Sequence, residues 1–110
     1  MQQNDVYTLE EFIAYIMIYA ATADFEIREK EEKHIKKMVG DTTYFEMLDL
    51  FETHNDIEAL EFIEEQRRVH LNEEFSKENL LHIAKEVFLV DGKFDASEKA
   101  LYEALKLLKD

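Results

Sequence analysis

The sequence has no cysteine, no proline and no tryptophan, and its only two glycines are Gly40 and Gly92. Each absence excludes something. Without cysteine there is no disulfide framework and no thiolate metal site; this suits a reducing compartment, and a cytoplasmic protein is expected. Without proline, and with glycine so scarce, few positions force a helix to break. Basic residues are also scarce: 13 Lys and Arg face 26 Asp and Glu, for a formal net charge of −13. Nucleic acid and anionic lipid headgroups demand a basic surface, so neither is expected as a partner. Arg67-Arg68, the only double-arginine pair, is too small for a nucleic-acid patch. Long apolar runs are missing too. The longest uncharged run, "FIAYIMIYAATA", covers Phe12 to Ala23, whereas a bilayer takes ~20 residues to cross. Direct membrane insertion is therefore not expected, and a fully buried central helix is. The opening "MQQNDVYTLEEF" has no basic segment and no cleavage pattern, so no targeting leader is expected.

What is present points one way. Hydrophobic residues make up 46% of the 110-residue chain, with eight Phe and five Tyr, enough to build a core. That length fits one domain spanning residues 1–110. The abundance of Ala, Leu, Glu and Lys predicts an all-α fold. Thr8 and Glu11 form a capping box that opens a first helix, Leu9 to about Ala23. A second helix runs from about Glu29 to Val39, ended by Gly40. Asp41 is placed to cap a third, "TTYFEMLDLFE". Asn55 and Glu58 form another box, opening a fourth helix through about His70. Ser76 is placed to cap a fifth, "KENLLHIAKEVFLV", which Asp91-Gly92 ends. Asp95 and Glu98 form a third box and open a sixth helix. The expectation is a compact bundle of about six helices.

Two segments echo each other at an offset of 67 residues: Ala23 to Glu31, "ADFEIREKE", and Val90 to Glu98, "VDGKFDASE". Each lies between an apolar helix and an amphipathic one, so each reads as the corner of a helix hairpin. Glu98 falls inside the apolar stripe of Phe94, Leu101, Tyr102 and Leu105. Glu31 lies likewise between Ile27, Ile35 and Met38. A carboxylate on a core-facing stripe needs a partner, because an unpaired buried charge is costly. One partner is close at hand: the N–H of the residue that caps the same helix. Asp24 and Asp91 each sit at a helix C-terminus, where the helix dipole disfavours an anion. Following N–H groups, a basic side chain or a bound cation would compensate. The second corner is not an EF-hand. With Gly92 at position 6 of such a loop, Val87 and Leu89 occupy positions 1 and 3, and neither ligates a hard cation.

The two corners, "ATADFEIREKEEKHI" and "FLVDGKFDASEKALY", resemble those of the tellurite-resistance TerB-like family, in which an apolar helix ends in Ala-Asp-Gly before a helix bearing Glu. The resemblance extends from about Leu9 to Leu108. It implies a cytoplasmic bundle built on two helix-hairpin repeats, with an acidic cluster that binds a divalent cation such as calcium, magnesium or zinc. Carried over by position, the ligands would be Asp24, Glu31, Asp91 and Glu98, with Glu26 and Asp95 nearby. Two positions depart from the pattern: Phe25 stands where the first corner has Gly, and Arg28 where a capping residue is favoured.

Other constellations read as structure. Glu31-x-x-His34 has the spacing of half a di-iron site, but the second copy has Leu101 in place of the histidine. His34 is then a partly buried packing residue. Glu78, His82 and Glu86 share one stripe of the fifth helix and read as its solvated face. His54 and His70 fall near helix ends. No nucleophile–base motif and no phosphate-binding loop is present, and Ser76 and Ser97 read as helix-start residues, so an enzyme is not expected. Two functions follow. One is a TerB-like module with a divalent cation at the acidic cluster. The other is a protein-interaction or scaffold module whose paired carboxylates only cap helices, and whose acidic field attracts cations or basic proteins.

Overall fold

The computed structural model describes residues 7–22, 27–70 and 77–90, together with Lys99, Tyr102, Glu103 and Lys106. Among them there are five helices and no strand: α1 (Leu9–Ala21), α2 (Glu29–Val39), α3 (Asp41–Glu52), α4 (Asp56–His70) and α5 (Lys77–Leu89). The four later residues are also helical. The second and third capping boxes fare differently. The Asn55 box is present, while Asp95, Ser97 and the start of the expected sixth helix lie outside the described residues.

α1 is the centre of the bundle. Phe12, Ala14, Tyr15, Ile16, Met17, Ile18, Ala20 and Ala21 are all buried. They cover every side of the helix, and a helix apolar all round must be enclosed by others. α1 indeed packs against α2, α3, α4 and α5. The surrounding helices turn one face inward: Ile35 and Val39 from α2, Tyr44 and Met47 from α3, Ala59 and Ile63 from α4, Leu80, Ala84, Val87 and Phe88 from α5. Tyr102 packs its ring edge-on to Phe88, 6.5 Å between centroids, and so lies against the same core. The radius of gyration is 12.9 Å, against about 13 Å for a compact chain of such length.

Helix ends follow local chemistry. Thr8 Oγ1 accepts the Glu11 N–H at 3.1 Å and Glu11 accepts the Thr8 N–H at 2.8 Å. Asn55 and Glu58 repeat the exchange at 2.8 and 2.9 Å. Each pair satisfies two of the N–H groups that a helix start leaves without a partner. α1 stops two residues short of the expected Ala23. There the Thr22 hydroxyl donates to the Tyr19 carbonyl at 2.8 Å, turning the end of the helix on itself. Asp41 does not cap α3 from outside. It is the first residue of the helix, and Gly40 is both the C-cap of α2 and the N-cap of α3. Gly40 has φ 90° and ψ 156°. That region is essentially closed to residues with a Cβ, which explains a glycine where two helices meet with no linker.

α4 fastens the chain just before α1. The Tyr7 N–H donates to Gln66 Oε1 at 3.1 Å, and His70 Nε2–H donates to the Tyr7 carbonyl at 2.6 Å. The His70 ring stacks on Phe12 at 5.4 Å. No described helix is long and apolar enough to cross a membrane.

Candidate functional site

Of the four carboxylates expected to form an acidic cluster, Asp24, Asp91 and Glu98 lie outside the described residues, as do Glu26 and Asp95. Glu31 is described, and it is buried, with 3% of its surface exposed. It stands at the third position of α2. Its Oε1 accepts the Arg28 N–H at 2.9 Å. Arg28 is the N-cap, and its side chain carries no acceptor, so the bond from its N–H to Glu31 is the half of a capping box that these two residues can make. The carboxylate on the core-facing stripe thus has a local partner. The stripe itself differs from the expectation at one residue. Ile35 and Val39 are buried with Glu31, whereas Met38 is 54% exposed. The inward face of α2 follows the i, i+4, i+8 row, and Met38 lies beside it rather than on it. Among the described residues, no group of three or more His, Asp or Glu is arranged to hold a metal ion.

Next to this corner, an open groove of about 420 Å³ runs between the end of α1, the start of α2 and one face of α3. Thr22, Ile27 and Glu32 form one side; Tyr44, Leu48, Phe51 and Glu52 form the other. The α3 residues recur at helical spacing, so one face supplies a row of large apolar side chains that ends in a carboxylate. Two glutamates therefore edge a mostly apolar trough. They differ in what holds them. Glu32 is bound by Lys36 Nζ at 2.6 Å, and that same ammonium lies 4.6 Å from the Phe45 ring centroid and 5.5 Å from that of Tyr44. Glu52 is exposed and has no ion pair among the described residues. The Tyr44 phenol is pushed up to about 12, by burial first and then by the negative charges of Glu32 and Glu52. That direction reports first the burial of the Tyr44 ring, and second the two carboxylates at the edge of the trough.

Phe51 joins the groove to an aromatic cluster inside the bundle. Its ring meets Tyr15 edge-on at 5.5 Å, and Tyr15 packs on Phe62 at 4.3 Å. The Tyr15 hydroxyl and His54 Nδ1 share a hydrogen bond of 2.7 Å. Burial pushes the Tyr15 and Tyr19 phenols up, so both stay neutral. Buried Tyr hydroxyls usually find such a partner.

The other histidines and charged stripes have settled places. His34 is half-buried, with Nε2 enclosed and without a hydrogen-bond partner among the described residues. His82 and Glu86 pair at 3.2 Å on the solvated face of α5, with Glu78 exposed on the same stripe. Arg67 and Arg68 do not make a surface patch. Arg67 is buried, Arg68 exposed, and both reach Glu64, at 3.0 and 3.5 Å. A comparison of the chain with protein-family models, with curated proteins and with solved structures finds no match.

Proposed function

We propose that this chain is a TerB-like helical interaction module, a non-catalytic scaffold of about six helices whose corner carboxylates fix helix starts. The observation that carries this reading is the open groove beside the first corner, with apolar walls of Ile27, Leu48 and Phe51 and two glutamates at its edge. Concave, mostly apolar sites with a few polar groups are where proteins take ligands. The engagement of Glu31 as a cap supports the same reading, because it explains a buried carboxylate without a metal. Calorimetric titration with calcium, magnesium and zinc tests it. Heats indistinguishable from buffer are expected, and a paired Asp91→Ala, Glu98→Ala variant behaves as the parent does. Saturable heat that this variant loses overturns the reading.

A second reading places a divalent cation between Asp24, Glu31, Asp91 and Glu98. One observation favours it: Glu31, the described member of that set, is buried at the corner instead of lying in solvent. Burying a carboxylate is costly, and a cation would offset that cost. The same titration decides between the two. A strongly acidic protein is a poor direct binder of the tellurite oxyanion, so a stress-response role of the tellurite-resistance type would run through a partner.

A further inference from the structure

We infer that the groove between α2 and α3 seats a segment of a partner protein that offers large apolar side chains beside a lysine or arginine. The inference rests on the interaction reading above and names the partner's chemistry. The apolar part follows from the walls. Ile27, Leu48 and Phe51 line an open trough, and covering them with a partner's side chains removes apolar surface from water. The cationic part follows from charge. The ionisable side chains on the lining besides Tyr44 are Glu32 and Glu52. Glu32 is already occupied by Lys36, so Glu52 is the carboxylate that a partner's cation would meet. The net charge of −13 adds a long-range field that draws basic segments in.

The protein displays the same recognition within itself. The Lys36 ammonium holds Glu32 while lying over the rings of Phe45 and Tyr44, a carboxylate and aromatic faces serving one cation. At the other end of the groove, Phe51 and Glu52 put an aromatic ring and a carboxylate on adjacent residues of α3. A lone divalent ion fits less well there. Two carboxylates, one of them already paired, fall well short of the roughly six to eight oxygens that calcium collects.

The test uses isotope-labelled full-length protein, observed by heteronuclear NMR. It is titrated with a short synthetic peptide in which leucines recur at helical spacing and lysines fill the other positions. A control peptide has glutamate for every lysine. The lysine peptide is expected to move the amide signals of Thr22, Ile27, Leu48 and Glu52 most, and to bind less tightly as salt is raised. Glu52→Lys is expected to weaken it about tenfold or more. Glu86→Lys, an equal charge change on the exposed face of α5, leaves it within about twofold. Circular dichroism verifies that both variants stay folded, and Glu52→Gln gives a milder check in the same direction.

The inference is overturned if no binding occurs, if the glutamate peptide binds as well, or if the strongest shifts surround Ile57 or Val69, exposed apolar residues of α4. It is overturned equally if Glu52→Lys weakens binding no more than Glu86→Lys. Binding at another face would remove the groove assignment and leave the module reading in place. Cation-dependent heat lost in the Asp91→Ala, Glu98→Ala variant would remove the module reading itself.

Discussion

Glu31 is a carboxylate in a place where charge is costly, and its bond to the Arg28 N–H gives it a reason to be there. Removing that acceptor takes away the bond that ties the Arg28 N–H to the start of α2. Glu31→Ala is therefore expected to destabilise the protein by about 1–2 kcal/mol in urea unfolding. Glu31→Gln keeps an acceptor oxygen and should lose clearly less. Equal losses in the two variants would mean that charge, and not capping, is what matters at this position. Tyr44 gives a pH prediction. Its folded-state pKa is raised to about 12 from the ordinary 10.0, so the folded protein holds a proton that the unfolded chain releases first. Stability from this group is complete below pH 10 and falls as pH rises toward 12. Tyr44→Phe should flatten that alkaline loss, as measured by thermal melts across the range. An unchanged slope would contradict the burial argument. Several of these residues could be read from local spacing alone. Thr8, Glu11, Asn55 and Glu58 sit at capping distance, and the bonds are there. Gln66 and the Tyr15–His54 pair could not be read, because their partners lie 59 and 39 residues away, where no local periodicity reaches.

The helices were legible where apolar period and caps agreed. α2 occupies the span expected, and α1 is the enclosed centre that its uncharged run implied. The α2–α3 junction was only half legible. A glycine at a helix end suggests a left-handed residue, but Gly40 instead has an extended ψ of 156° that passes the chain straight into α3. Nothing lies within 4 Å of where a Cβ would stand, so the constraint there is the backbone and not crowding. Gly40→Ala is expected to cost about 1–3 kcal/mol. Gly40→Asn, which rescues ordinary left-handed positions, should cost as much. Thermal or urea unfolding of the two variants checks this, and an asparagine variant as stable as the parent would contradict it. In α1, Ile16→Ala removes a fully buried side chain from the middle of the core and should cost about 2–5 kcal/mol. The burial of Arg67 was not legible. Its neighbour Arg68 stays in solvent, and only the packing of α4 separates two adjacent, chemically identical side chains.

For the chain as a whole, acidity and helicity set the terms. A net charge of −13 on a small fold is self-repulsive, and salt screens it. The melting temperature is expected to rise as salt goes from a few millimolar to physiological strength. The groove was not read from the sequence, although Tyr44, Leu48 and Phe51 recur at helical spacing in α3. Its opposite wall was not visible, because Thr22 and Ile27 reach it only through the turn from α1 to α2. The central claim is that the buried corner carboxylate caps a helix instead of holding a metal. Thermal unfolding of the parent and of Glu31→Gln, with and without millimolar calcium, magnesium and zinc, tests it most directly. At constant ionic strength, the claim predicts that neither melting temperature responds to the cation. A cation-induced rise in the parent that Glu31→Gln abolishes would contradict it.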